Sequence, residues 1–237
     1  MKQRLDVALA SRGLVASRSQ AESYIKLGKV RVNGKILNKS SILVGDEDKL
    51  EVEQGEQYVS RAALKLASVT SKLGLDFEGK VVLDAGSSTG GFTDYALRRG
   101  AAKVIAVDVG TDQLHPSLRT DSRVELHEKT DIRQFVPETA PDMVLMDLSF
   151  ISLRLVLPHI AEIANNDTEV VAMLKPQFEA SPRDVNKGII KNDSVRRRIL
   201  RDFEEWVKQY FVIRDKADSE VAGAKGNKER FYLLKKR

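Results

Sequence analysis

The chain contains no cysteine, which excludes a disulfide framework and any thiolate metal site. Histidine is nearly absent as well. His115, His127 and His159 lack close ligand spacing, so no metal site is expected. No apolar run approaches the ~18 residues of a membrane span. The opening stretch MKQRLDVALASRG is too charged to be a signal peptide, so the expectation is a cytoplasmic protein. Aromatics make up 6% of the residues, and the first fifty contain only Tyr24. Base stacking is therefore not indicated in that segment.

What is present is a folded chain of 237 residues, 42% hydrophobic and 31% charged, enough for one large or two smaller domains. Its net charge of +5 is unevenly spread. Residues 1–40 carry nine lysines and arginines against two acids, and residues 41–60 carry one lysine against six acids. The basic face belongs to the first forty residues and suggests a polyanionic partner.

The most informative stretch runs from Val81 to Leu97. Val81-Val82-Leu83 is a short strand ending in Asp84. A turn of small residues follows, Gly86-Ser87-Ser88-Thr89-Gly90-Gly91, and then a helix starts at Phe92. Strand, glycine turn and helix open a nucleotide-binding unit. The spacing is not G-x-G-x-x-G, and a carboxylate at Asp84 would repel a pyrophosphate. It could instead hold an ammonium group. S-adenosylmethionine has an ammonium and no phosphate, and D-x-G-x-x-x-G-G suits its methionine end. Val104-Ile105-Ala106-Val107 is a second strand ending in an acid, Asp108. It lies about 20 residues past the glycines, where a carboxylate accepts hydrogen bonds from ribose hydroxyls.

Towards the N-terminus, Leu5, Leu9 and Leu14 with Val7 and Ala8 predict a first helix, stopped near Gly13. Ser17 caps a second, with Ala21, Tyr24, Ile25 and Leu27 on its apolar face and Lys26 and Gly28 closing it. Asn33-Gly34 predicts a hairpin turn between Val30–Val32 and Lys35–Leu37. Lys49–Val52 reads as a further strand. Arg4-Leu5-Asp6, Leu9, Gly13-Leu14, Ser17-Arg18, Ala21, Ile25, Gly28-Lys29-Val30, Val32-Asn33-Gly34 and Lys39 together resemble the S4 RNA-binding domain. That resemblance implies basic residues offered to structured RNA. Arg4, Arg18, Lys26 and Arg31 are the candidates for phosphate contacts, which position RNA without reading its sequence.

Beyond Ser60, a candidate N-cap, the pattern alternates between strands and helices. Strands are predicted at Val124–Leu126, Asp142–Asp147, Val170–Lys175, Phe211–Ile213 and Phe231–Leu234, the last two as an antiparallel edge pair. Helices are predicted at 92–99, 153–164 and 194–208. This is an α/β fold with a mostly parallel sheet. Asp147 and Lys175 each end an apolar strand at the carboxyl edge, where such folds bind ligands. Lys65 follows Leu64 in the helix that starts near Ser60, and Glu229 precedes the last strand.

Tyr58 to Leu66, Asp84 to Thr93, Met146 to Leu153, Leu174 to Glu179 and Gly226 to Glu229 resemble the FtsJ-type ribose 2′-O-methyltransferases. With the S4 segment, the chain is similar to the TlyA family of ribosomal RNA cytidine 2′-O-methyltransferases, also named haemolysin A. The resemblance implies a Rossmann-like S-adenosylmethionine-dependent fold over 60–237, a linker at 54–59 and an S4-like domain over 1–53. It implies a monomer acting on ribosomal RNA within ribosomal subunits. The family's Lys-Asp-Lys-Glu tetrad maps onto Lys65, Asp147, Lys175 and Glu229.

A free lysine titrates at about 10.4 and is a poor base at neutral pH. The reading is that Lys175 takes the 2′-hydroxyl proton, Asp147 and Glu229 orient it, and Lys65 steers the ribose oxygen. Cofactor contacts are expected from Gly86, Ser87, Ser88, Thr89, Gly90 and Phe92, with Asp108 on the ribose and Asp131 on the adenine amino group. Asp84 would orient the loop or the cofactor ammonium. Lys187, Lys191, Arg196, Arg197, Arg198 and Arg201 form a second basic run, either a solvated helix face or an extension of the RNA track. The competing readings are a dinucleotide oxidoreductase, a non-catalytic RNA-binding ribosome assembly factor and a haemolysin-like lytic protein. Lytic action has no isolated amphipathic segment behind it.

Overall fold

A computed structural model describes residues 2–15, 17–26, 28–53, 58–223 and 225–237. The contacts divide it into Met1–Leu64 and Lys65–Arg237.

In the first unit, β1 (Gln3–Arg4) leads directly into α1 (Leu5–Ser11), and α2 (Arg18–Lys26) follows. The helices bury Leu5, Ala8 and Leu9, and Ala21, Tyr24 and Ile25, the spacing of one helical face. Ser17 Oγ accepts from Gln20 N at 3.2 Å, as a cap does. Leu14, expected to continue the first apolar face, is 36% exposed, and Val15 is buried in its place. The chain has already left the helix at Arg12, so the helical spacing no longer applies. Leu27, predicted on the second face, lies outside the described residues.

Next, β2 (Val30–Val32) and β3 (Lys35–Ile36) form the predicted hairpin. Asn33 and Gly34 turn it with φ of +51° and +78°, the pair of positive values a two-residue hairpin favours. β4 (Leu43–Val44) pairs with β1, and β5 (Leu50–Val52) pairs with β2. Asp6 is fully buried and takes Arg4 Nε at 2.9 Å and Arg18 Nε at 2.6 Å.

Residues 54–57 of the expected linker lie outside the described residues. The helix expected to start near Ser60 forms as α3 (Ala62–Leu73). Ser60 accepts its first free amide, Ala62 N, at 3.2 Å.

The second unit is built on seven strands: β6 (Val81–Ala85), β7 (Lys103–Val107), β8 (Val124–His127), β9 (Met143–Met146), β10 (Glu169–Leu174), β11 (Phe211–Asp218) and β12 (Arg230–Lys236). Their spatial order is β11-β12-β10-β9-β6-β7-β8. The continuous apolar runs β6, β7, β9 and β10 occupy the middle, buried on both faces, as parallel strands require. β12 runs antiparallel between β10 and β11, so the late pair closes one edge of the sheet. β11 continues to Asp218, five residues beyond its apolar start. The ladder with β12 carries it there, with an irregularity between Ile213 and Asp215.

The helices are α4 (Gly91–Arg98), α5 (Pro116–Arg119), α6 (Leu157–Ile163), α7 (Pro176–Glu179) and α8 (Asp193–Val207). The helix expected over 153–164 is divided into a 3-10 turn at Leu153–Leu155 and α6. Leu157, Ile160, Leu200 and Phe203 from these helices meet Val144, Val170 and Tyr232 of the sheet in a continuous core. β6 has its sequence neighbour β7 on one side and β9 on the other. Chain connections leave β6 in opposite directions there, and the strand ends open a crevice.

Candidate active site

The ladder registers assemble the site. Ala85 stands opposite Met146, and Ala172 also stands opposite Met146. Gly86, Asp147 and Lys175 therefore emerge together at the carboxyl ends of β6, β9 and β10. Leu174 stands opposite Arg230. Because β12 is antiparallel, its first residues arrive at that same end, bringing Glu229 with them. Four segments far apart in sequence meet at one edge for this reason.

The crevice contains a cavity of about 450 Å³. Of the expected cofactor residues, Gly86, Ser88, Asp108 and Asp131 line it, together with Asp147. The turn after β6 is shaped by its glycines. Gly90 has φ of +92°, and a Cβ there would lie 2.3 Å from Leu118 Cδ1. A Cβ on Gly86 would lie 3.2 Å from the Asp147 carbonyl oxygen. Asp108 holds the turn open, its two oxygens accepting Ser88 N at 2.8 Å and Gly110 N at 2.7 Å.

Two buried atoms in this turn have no hydrogen-bond partner, Ser87 Oγ and Asp84 Oδ1. Asp84 Oδ2 accepts from Thr93 Oγ1 at 2.7 Å. Burial pushes the Asp84 carboxyl up to about 7, with the Asp147 and Asp108 charges adding to it. A close glycine cradle and a ribose-spaced acid on the cavity wall fit a polar ligand bearing a sugar.

Several expected contacts are placed otherwise. Phe92 is buried and packs on Phe231 at 6.1 Å between ring centres. It supports the turn from behind and does not line the cavity. Thr89 and Gly90 are likewise off the wall; Thr89 presents its carbonyl to His115 N at 3.3 Å. Asp131 does line the cavity, but Arg133 Nε lies 3.0 and 3.1 Å from its two oxygens. That ion pair lowers the Asp131 carboxyl below its usual range and competes with any ligand amine. Asp84 is sealed at 1% exposure and acts through the turn.

The tetrad residues form two buried ion pairs. Lys175 Nζ lies 2.6 Å from Asp147 Oδ1 and donates to Ser149 Oγ at 2.7 Å. Lys65 Nζ, on α3, lies 2.6 Å from Glu229 Oε2. Glu229 was expected to orient Lys175 and instead holds Lys65. Lys65, Lys175 and Glu229 are 6%, 8% and 2% exposed, in surroundings where an unpaired charge would be costly.

Residues that the sequence reading missed complete the site. Ser149 is the second partner of Lys175. Phe150, 91% exposed with φ of +65°, meets Phe178 at a tilt of 45° with ring centres 5.3 Å apart, and Phe178 lies under Lys175 Nζ. Gln113 lines the cavity and accepts from Ser88 Oγ at 3.2 Å. Ser149 and Phe150 lie two and three residues after Asp147 in sequence, the one signal that could have found them.

In the first unit, Arg4 and Arg18 are committed to Asp6, with 41% and 56% of their side chains still exposed. Lys26 and Arg31 are exposed. Among the described residues, no helix is long and apolar enough to cross a membrane, and no cluster of ligating side chains could hold a metal ion.

The chain is similar to known proteins along most of its length. Residues 58–237 match the FtsJ-like methyltransferase family model and residues 3–50 match the S4 domain. The chain is 40% identical to hemolysin A of Brachyspira hyodysenteriae over 95% of its own length and 97% of that protein's. It is 43% identical to the 16S/23S rRNA (cytidine-2′-O)-methyltransferase TlyA of Mycobacterium tuberculosis, over 80% of this chain and 73% of that one. A solved structure from Streptococcus thermophilus that carries a hemolysin name superposes with a TM-score of 0.74 at 37% identity, covering 99% of this chain and 88% of the other. With the tetrad at the sheet's carboxyl edge and the glycine turn beside it, the chain belongs to the FtsJ-like methyltransferase family and carries an S4 domain ahead of the catalytic fold.

Proposed function

We propose that the protein methylates the ribose 2′-hydroxyl of a cytidine in ribosomal RNA within ribosomal subunits, using S-adenosylmethionine. One observation carries this reading. A buried lysine–aspartate pair, Lys175 with Asp147, stands at the rim of a cavity whose walls suit that cofactor. When bound, S-adenosylmethionine supplies an electrophilic methyl group. Asp108 suits its ribose, and the turn from Gly86 to Ser88 suits its methionine end. Lys175 enters the step as the neutral amine, after passing its ion-pair proton to solvent, and its Nζ then receives the 2′-hydroxyl proton, with Asp147 and Ser149 fixing its position. Lys65, held by Glu229, steers the ribose oxygen. Phe150 offers an exposed aromatic face at the same rim for the base of the target nucleotide.

We read residues 1–53 as an S4-like RNA-binding domain, 54–59 as a linker and 60–237 as the methyltransferase domain. The first contributes affinity through Lys26 and Arg31 and the exposed portions of Arg4 and Arg18. The protein acts as a cytoplasmic monomer, where its ribosomal substrates are. An assembly factor without catalysis would not need two buried ion pairs at the sheet's carboxyl edge. Among the described residues, the structure offers a lytic protein no membrane-crossing helix.

The test is transfer of labelled methyl from S-adenosylmethionine to unmodified ribosomal subunits. Label is expected at one site that resists alkaline cleavage. Lys175→Ala is expected to lower kcat by about 10²–10⁴-fold, the range for loss of a proton-transfer group, while cofactor binding persists. Full turnover in that variant would remove Lys175 from the proton step. Absence of both label and cofactor binding in the wild type would overturn the function.

A further inference from the structure

Beside Glu229, two loops are locked together by one buried side chain. Asn227 is 4% exposed. Its Oδ1 accepts from Ile190 N at 2.9 Å, and its Nδ2 donates to Gly188 O at 2.8 Å. Its own carbonyl accepts Gly223 N at 2.9 Å. The first loop is closed on itself as well, by reciprocal bonds between Asn186 and Ile189 at 3.0 and 2.9 Å. Both polar atoms of the buried asparagine side chain are therefore spent on holding one stretch of backbone against another. Two residues further on, Glu229 turns inward to Lys65.

The outer surface of the joined loops carries Lys187, Lys191, Lys225 and Lys228, all exposed. None of the four makes an ion pair among the described residues, although most other lysines of this unit do. Lys225 Nζ folds back to within 3.4 Å of the Lys187 carbonyl, which keeps the two lysines side by side. Like charges held together by a rigid scaffold without counter-ions form an anion site. The cofactor has no phosphate to place there. A nucleic acid backbone has one at every nucleotide.

We propose that the loops at 186–190 and 225–229 form a phosphate-binding lip at the catalytic edge. In it Lys187 and Lys225 hold backbone phosphates of the substrate RNA, and Asn227 is a positioning residue joining this lip to Glu229. The inference rests on the reading of the protein as an RNA methyltransferase. It differs from that reading in assigning part of the RNA grip to the methyltransferase unit itself. The lip sits just ahead of α8. Phosphate contacts there set the register of the strand relative to the tetrad and read no base.

The full-length protein is titrated with unmodified large and small ribosomal subunits over a range of potassium chloride concentrations. A Lys187→Gln, Lys225→Gln double variant is compared with the wild type and with Lys208→Gln. Lys208 follows the other end of α8, whose 15 residues span roughly 22 Å. The double variant is expected to bind more weakly, with the slope of log affinity against log salt shallower by about 1.4–1.8, since each phosphate contact contributes about 0.7–0.9. Lys208→Gln is expected to keep the wild-type slope. Asn227→Ala is expected to weaken binding and also lower kcat, a combination that loss of the surface lysines alone would not give. A double variant with unaltered melting temperature and unaltered salt slope overturns the lip. A wild type that binds subunits but neither binds cofactor nor transfers methyl overturns the methyltransferase reading instead.

Discussion

Gly90 and Asp84 show how much of this site is decided by single residues. Gly90→Ala would place a methyl group against buried Leu118 at a φ of +92°. A left-handed residue with a side chain costs about 1–2 kcal/mol, and overpacking adds about 1–3 kcal/mol. Urea denaturation of this variant is expected to show a loss of roughly 2–5 kcal/mol, with cofactor binding weakened in step.

Asp84 gives a dependence on pH whose sign is unusual for an acid. Burial raises its folded value to about 7 from the ordinary carboxylate value of 3.8. Between those two values the unfolded chain has released the proton and the native state keeps it. Stability therefore falls as pH rises through that window, and the loss is complete above about 7. Asp84→Asn keeps the neutral shape and is expected to flatten this slope. Thermal melts between about pH 5 and pH 8 would show it, and an unchanged slope would place the effect on another group.

At the scale of elements, the two loops that carry the tetrad's inner pair are tied by Glu179 at the end of α7. Its oxygens accept Ser152 Oγ at 2.6 Å and Leu153 N at 2.7 Å. Burial raises its carboxyl, opposed by those hydrogen bonds and by Arg154. This joins the segment after Lys175 to the segment after Asp147. Glu179→Ala leaves two donors without partners, at a cost of about 1–3 kcal/mol each. It is expected to reduce both stability and kcat, while Glu179→Gln, which keeps one acceptor oxygen, is milder in both. Denaturation and single-turnover kinetics would check this.

Four of the parallel strands, β6, β7, β9 and β10, were legible in sequence because each is an apolar run with a charged residue at or beside its end. Asp84, Asp108, Asp147 and Lys175 mark those ends whatever the packing around them. The pairing of Lys65 with Glu229 was not legible, since it depends on β12 entering the sheet backwards. Nor was the capture of Asp131 by Arg133: both residues were visible, but only the folded loop turns the guanidinium back. Phe92 was read as a cofactor contact from its place in the motif. Its direction is set by Phe231, which lies 139 positions further along the chain.

Across the whole molecule, the two units respond to acid in opposite ways. Burial works against ionisation of Asp6, but Arg4 and Arg18 overcome it and hold the carboxyl down to about 2 from the ordinary carboxylate value of 3.8. The stability this gives is present above 3.8 and is lost as pH falls towards 2. Acidification from neutrality to about pH 4 thus relieves the methyltransferase unit at Asp84, and further acid loosens the first unit at Asp6. Hydrogen exchange followed along a pH series is expected to show protection lost first among residues 3–44, and Asp6→Asn is expected to remove that early loss. The antiparallel entry of β12 has a further consequence, in time rather than in space. Glu229 is synthesised after Lys65, Asp147 and Lys175 and after every other strand of the sheet. A chain halted between Lys175 and Glu229 would own the walls of the cavity and one ion pair. It would also leave β10 with an open edge and Lys65 without its counter-charge, so interrupted translation yields a chain ready for aggregation or proteolysis and never a partially competent enzyme.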